Sequence, residues 1–224
     1  FMIDAQLVNE IWSAFYPGMV GKASERALWG ARITNDDWGT HPTIAYGAMI
    51  SAAFFESDVD KLVQIGIDAV PNEGPFAEGI RDVVRWHKEE PDWRATRKKI
   101  HERYYRYENN GYKAPVDVSS SLINGLCGVL AILYGEGDFV KTIGIATAAG
   151  YDCDNQAATC GGLIGVIVGV KGIPDRLTTE VSFDMKWNKP FNNRYVNTSR
   201  GGIPVATPIS EIVARIRAIA YNAI

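Results

Sequence analysis

The sequence predicts an all-α protein: a single compact multi-helix domain spanning residues 1–224. Three observations predict it. Apolar residues recur at spacings of three and four through most of the chain. Asp, Ser, Gly and Pro punctuate that pattern where helix starts and stops belong. Only Val116–Val118 and Val181–Phe183 read as β-flavoured, and both runs are too short to make a sheet.

In chain order, Ile3, Leu7, Val8, Ile11, Trp12 and Phe15 predict a helix over Ile3–Tyr16, stopped by Pro17-Gly18. Lys22–Trp29 is a second, short helix. The polar stretch Ala31–Pro42 is a loop, and His41 or Thr43 opens a helix to about Phe55 with Ala45, Ala48, Met49, Ala52 and Ala53 inward. Asp58 caps Val59–Val70, and Pro71-Asn72 closes it. Pro75–Lys88 carries Ile80, Val83, Val84 and Trp86. Asp92 caps a basic helix, Trp93–Tyr107, and Asn109-Asn110-Gly111 breaks the chain. Ser119–Tyr134 is apolar with small residues among Leu and Ile. Gly135-Glu136-Gly137-Asp138 is a stop followed by a cap, and Phe139–Ala149 follows. The next helix runs to about Val170 and ends at Gly172-Ile173-Pro174. Residues 181–208 show no clear period, and Thr207 or Ser210 caps a final helix with Ile209, Ile212, Val213, Ile216, Ile219 and Ala220 on one side.

Composition bounds the function classes. The 224 residues are 46% hydrophobic and 22% charged, as in ordinary globular proteins, and suffice for one sizeable core. A net charge of −3 gives no global basic field for nucleic acid or an anionic membrane. The basic helix Arg94, Arg97, Lys98, Lys99, Arg103, Arg106 is interleaved or flanked by Glu89, Glu90, Asp92, Glu102 and Glu108, so it reads as a solvated face rather than a nucleic-acid site. No run approaches the roughly 20 apolar residues of a membrane span. Cys127, Cys153 and Cys160 are too few for a disulfide framework, lack the pairing of a zinc site and read as small buried thiols. The default expectation is a reducing, cytoplasmic setting.

The stretch most suggestive of chemistry is Gly150–Gly162. Asp152 and Asp154 sit two residues apart in a Gly-bounded loop at a helix start, suited to a hard cation such as Mg²⁺, with Asn155 able to add a carbonyl oxygen. The alternative is that Asp154 is a helix cap favoured by the dipole. Ala157, Gly161, Gly165 and Gly169 recur every fourth residue and predict a small-residue face for close helix packing. Elsewhere, Asp36 and Asp37 stand near Trp38 and His41 in a loop suited to a sugar or base, or form a solvated turn. His41 binds a phosphate or ribose, or caps its helix. Tyr46 stacks or hydrogen-bonds to a ligand, or is a buried helix Tyr. Asn124 lies on a helix entered through Ser119-Ser120-Ser121, as a cleft residue or a buried amide. Asn192–Tyr195 and Arg200-Gly201-Gly202 touch a pyrophosphate or are a late loop.

Gly150-Tyr-Asp152-Cys-Asp154-Asn-Gln-Ala-Ala158-Thr-Cys-Gly161, continuing through Gly165 to Ile173-Pro174, resembles the carboxy-terminal metal motif of the ADP-ribosylglycohydrolase family, which includes dinitrogenase-reductase-activating glycohydrolases and J1-type crystallins. Leu133–Phe139, Trp29–Ile33 with Asp36 and Gly39, and His41 with Tyr46–Met49 and Ala52–Phe54 extend the likeness. The resemblance implies an all-α fold, a site for two Mg²⁺ ions (Mn²⁺ as the alternative), and hydrolysis of the bond joining ADP-ribose to a protein acceptor or of a related ribosyl bond. Asp152 and Asp154 match the family's metal aspartates, and Asn155 stands where many members carry Thr or Ser. The family's amino-terminal (Ser/Thr)-Asp-Asp is not matched; Asn35-Asp36-Asp37 falls in the family's middle region. The expectations are therefore a metal-dependent hydrolase acting on a small molecule or ADP-ribosylated protein, a fragment or a chain whose missing segment comes from a separate polypeptide, or a non-catalytic binding or structural relative.

Overall fold

The computed structural model describes residues 1–8, 10–179, 193–197 and 201–223. It is helical almost throughout, and the chain divides into two compact units, 1–167 and 168–224, where the sequence predicts one domain. Among the described residues no helix is long and apolar enough to cross a membrane.

The first unit opens with α1 (Asp4–Val8) and α2 (Glu10–Phe15), both within the helix predicted over Ile3–Tyr16; residue 9 lies outside the described residues. Ile3 stands at the entrance of α1: its carbonyl accepts from Gln6 N–H at 2.8 Å and its own N–H donates to Ser119 O at 2.8 Å, while Met2 bridges antiparallel to Ser120. Then come α3 (Val20–Ala31), a turn of 3₁₀ helix (Asp37–Thr40), α4 (His41–Ala53), α5 (Val59–Asp68), α6 (Pro75–Glu89) and α7 (Trp93–Tyr104). Asp58 and Asp92 cap α5 and α7 as expected, each carboxylate accepting from backbone N–H groups of the first turn.

Two strands the sequence reading missed follow. β1 (Glu108–Asn109) pairs antiparallel with β2 (Tyr112–Lys113) across Asn110-Gly111. Both turn residues have positive φ, 50° and 80°, the combination a tight hairpin needs and Asn-Gly supplies. The chain resumes as α8 (Ser121–Gly135), α9 (Phe139–Ala148) and α10 (Cys153–Val168). Between α8 and α9, Glu136 and Gly137 turn left-handed and Asp138 caps α9 by accepting from Lys141 N–H at 2.7 Å.

The core is built around α8, buried along its whole length, and α4, buried from Pro42 to Ala53. Neither shows a polar face, as expected of helices enclosed on all sides. Helices α4, α5, α6, α7 and α9 pack around α8, and α3 lies along α4. Small residues let α3 and α4 approach closely: a β-carbon on Gly47 would lie 2.9 Å from the Ala27 β-carbon. The centre of the unit is therefore α8, and the small-residue stripe of α10 is not its main packing face. That helix buries Asn155, Gln156, Thr159, Cys160, Leu163 and Ile164, a face beside the stripe. A β-carbon on Gly161 would meet Ile143 of α9 at 3.3 Å, whereas Gly169 lies beyond the helix with φ 64°. Cys127 and Cys160 are buried and Cys153 is half-exposed.

In the second unit a 3₁₀ turn (Val170–Gly172) leads to α11 (Asp175–Thr179); β3 (Tyr195–Val196) pairs antiparallel with β4 (Ala206–Thr207), and α12 (Ile209–Ala223) follows. Neither Thr207 nor Ser210 caps α12 with its own side chain: Asn193 Oδ1 accepts from Ser210 N–H at 2.9 Å, and Asn193 Nδ2 donates to Ser210 Oγ at 3.1 Å. Val181–Phe183, Asn192 and Arg200 lie outside the described residues.

Candidate functional site

The Asp152–Asp154 stretch is reached through a left-handed turn. Gly150 has φ 80° and Tyr151 has φ 63°. Gly takes that region freely, but a side chain there costs roughly 1–2 kcal/mol. Helix α7 holds the turn in place. Arg97 Nε donates to Ala149 O at 3.0 Å, and its guanidinium lies 4.5 Å over the Tyr151 ring. The Tyr151 hydroxyl meets His101 Nδ1, and its ring stacks on Tyr105 with centroids 5.8 Å apart. Burial pushes the Tyr151 phenol up to about 12, so it stays neutral.

On the far side of the turn, the Asp152 N–H donates to Asn124 Oδ1 at 3.0 Å. Asn124 is fully buried in the first turn of α8, and its amide donates to Val118 O at 2.7 Å and Ser120 O at 2.9 Å. Of the two readings of Asn124 the structure places the buried amide, whose Oδ1 aligns the Asp152 backbone. Helix α10 begins at Cys153, which leaves Asp152 just before it and Asp154 in its first turn, where the helix dipole favours an anion. Burial above all, then the Asp154 carboxyl within hydrogen-bonding reach, then the Asp4 charge, hold the Asp152 carboxyl above the usual carboxylate range. A carboxyl whose proton affinity is raised by a second carboxylate within reach, as Asp152's is, suits a hard cation that would take the proton's place. Asn155 is 3% exposed, and its Nδ2 has no hydrogen-bond partner among the described residues. Among those residues, no group of three or more His, Cys, Asp or Glu is placed to hold a metal.

Two acidic neighbours escaped the sequence reading. Asp4 reaches Asp152 because the Met2–Ser120 bridge and the Ser121 N–H···O Phe1 bond (2.8 Å) lay the chain start against the entrance of α8. Glu10 accepts from Thr159 Oγ1 at 2.7 Å, and burial raises its carboxyl despite that bond. Both contacts span well over a hundred positions, so no local spacing announces them.

Asp36, Asp37 and His41 come together in a different place. With Ser24, Glu25, Arg32, Thr40 and Ile44 they line a cleft of about 590 Å³ between α3 and the start of α4. The Asp36 carboxylate accepts from Asp37 N–H at 2.8 Å, and the Asp37 carbonyl accepts from Thr40 Oγ1 at 2.7 Å. His41 does not cap α4: Thr40 holds the cap position, and His41 Nδ1 has no hydrogen-bond partner among the described residues. Burial lowers the imidazole pKa against the opposing pull of Asp37, which favours a neutral ring. Asn124, Asp152 and Asp154 are not among the residues lining this cleft. Tyr46 lies in neither group. It is 2% exposed, and its hydroxyl donates to Gly125 O at 2.8 Å, which ties α4 to α8. Of the late-loop residues, Asn193 is engaged with Ser210.

The cations of α7 are largely spent on neighbours. Lys98 pairs with Glu102, Lys99 with Glu90, and Arg103 with Glu78 and Asp82, while Arg97 holds the Tyr151 turn.

A family model, ADP-ribosylglycohydrolase, matches residues 13–200. That span takes in α3 to α10, the cleft, Asn124, Asp152 and Asp154. Neither a search of curated proteins nor one of solved structures returns a match.

Proposed function

Because the chain belongs to the ADP-ribosylglycohydrolase family, we propose that it hydrolyses the C1″ bond joining ADP-ribose to a protein acceptor, or a related ribosyl bond, at Asp152 and Asp154. The observation that carries this reading is the convergence of the two carboxylates behind a turn locked on both sides, with Asp152 raised by burial and by its partner.

Asp152 and Asp154 are the residues that would hold Mg²⁺, or Mn²⁺ in its place, with the Asn155 amide oxygen as a further ligand. When bound, the ion orients ribose hydroxyls, lowers the pKa of a water and balances the acidity of the site. The chain's own groups act on the sugar's charge and position. C1″ cleavage passes through an oxocarbenium-like state, and the negative field of the Asp152, Asp154 and Asp4 carboxylates would offset the ion's charge so that it does not oppose positive charge developing on the sugar. Asn124 keeps Asp152 in register, so the field does not reorganise during the reaction. Asp36, Asp37 and a neutral His41 offer hydrogen bonds to a sugar or base in the 590 Å³ cleft.

The test is release of ADP-ribose from ADP-ribosylated peptides of several acceptor types, by the intact protein and by Asp154→Ala, with and without Mg²⁺. Release that needs Mg²⁺ and is lost in the variant is expected. Equal release by the variant contradicts the site, and binding of ADP-ribose without turnover favours a non-catalytic relative.

A further inference from the structure

We infer that Arg97 and His101 of α7 are positioning residues that aim the two carboxylates through Tyr151. The inference rests on the reading of Asp152 and Asp154 given above. Tyr151 is one of few non-glycine residues here with positive φ, at 63°, and it follows Gly150 at 80°. A side chain in that region persists only where its surroundings over-determine it. The surroundings are one helix. Arg97 grips both sides of Gly150: its Nε donates to Ala149 O at 3.0 Å before the turn, and its guanidinium covers the Tyr151 ring at 4.5 Å after it. His101, one helical turn further along α7, meets the Tyr151 hydroxyl, and the His101 and Tyr105 rings stack at 4.8 Å beside it. Asp152 is the next residue, and beyond its own N–H bond to Asn124 its direction follows from the turn. An ordinary helix surface has no need of these contacts. Lys98 and Glu102 on the same helix make only an exposed pair at 3.7 Å. The basic helix thus has an inward task that its charge pattern hides.

A purely electrostatic role for Arg97 makes the opposite forecast. Removing a cation near two carboxylates tightens Mg²⁺ binding, whereas loss of positioning weakens it. Mg²⁺ is titrated calorimetrically into the intact chain, Arg97→Ala, Arg97→Lys, Tyr151→Phe and Asp152→Ala, and deuterium exchange of the Asp152 N–H is followed without metal. Far-UV circular dichroism and melting check each fold, and Tyr151→Phe serves if Arg97→Ala does not fold. In Arg97→Ala the affinity is expected to fall on the order of 10–100-fold, the usual effect of losing a residue that orients a ligand. Arg97→Lys, which keeps a cation over the ring, recovers part of it, and Tyr151→Phe loses less. Exchange at Asp152 quickens in Arg97→Ala and Tyr151→Phe, while exchange within α8 does not. Affinity equal to or above that of the intact chain in Arg97→Ala, with exchange unchanged, overturns the inference. If the intact chain and Asp152→Ala bind Mg²⁺ alike, the metal reading fails, and the exchange measurement still decides the positioning role: faster exchange upholds it and unchanged exchange refutes it.

Discussion

Replacing Asn124 by Ala tests how the fold builds the site. The buried amide makes three hydrogen bonds: to Val118 O at 2.7 Å, to Ser120 O at 2.9 Å and from Asp152 N–H at 3.0 Å. Each contributes about 1 kcal/mol net, and a buried partner left unsatisfied costs more. Ser120 O keeps a second donor, the Asn124 N–H at 3.2 Å, so the groups orphaned are Val118 O and Asp152 N–H. The expected loss is about 3 kcal/mol, or roughly 6–12 °C in melting temperature for a chain of this size. Asp152 loses its anchor as well, so Mg²⁺ affinity is expected to fall on the order of tenfold. Asn124→Asp separates the two effects: it keeps an acceptor for Asp152 N–H but loses both donors. Urea unfolding and calorimetric titration, run on both variants, read the outcome. A stability change under about 0.5 kcal/mol in Asn124→Ala, the scale of a surface substitution, with Mg²⁺ binding unchanged, refutes the reasoning.

Three further outcomes follow from the same geometry. Tyr46→Phe removes the hydroxyl that donates to Gly125 O, so it is expected to cost about 1 kcal/mol in urea unfolding and to leave ADP-ribose release unchanged; a lost activity in a folded variant would return Tyr46 to the site. Gly128→Ala would drive a β-carbon into the Tyr46 hydroxyl and the Gln156 side-chain oxygen, so a loss of about 1–3 kcal/mol is expected, and a neutral result would show that α4, α8 and α10 are less tightly packed than described. Glu10, raised by burial above its ordinary 4.5, lets the folded state hold a proton that the unfolded state has released. Stability therefore falls as pH rises from 4.5 through the folded pKa and stays lower above it. Glu10→Gln, which keeps an acceptor for Thr159, is expected to lack that fall and to gain on the intact chain between acid and neutral pH; parallel curves would refute it.

Much of the fold was legible because its determinants are local. Asp58, Asp92 and Asp138 announce their helices, and the largely apolar, small-residue runs of α4 and α8 accord with their burial. Asn109-Asn110-Gly111 reads only as a break, because the two-residue strands of its hairpin carry too little alternation to register. The stripe of α10 shows the limit of spacing. Period four marks a face, but only the neighbours decide whether that face is the buried one, and here it flanks it. The site was half legible. Asp152 and Asp154 lie two residues apart in sequence and Asn124 stands out at a helix start, whereas Asp4 nears Asp152 only through a bridge from the chain start, and Arg97 meets the turn before it only through helix packing. Asp36 and Asp37, read as a loop suited to a sugar or base or as a solvated turn, line a cleft of their own. His41 and Tyr46, five residues and about one and a half turns apart on α4, part company because one lies at the cleft and the other in the core.

The central claim is that Asp152 and Asp154 together carry the chemistry, and calorimetric titration of Mg²⁺ into the intact protein and into Asp152→Ala tests it most directly. The intact protein is expected to bind Mg²⁺ and the variant to lose it. Equal binding by both would contradict the account.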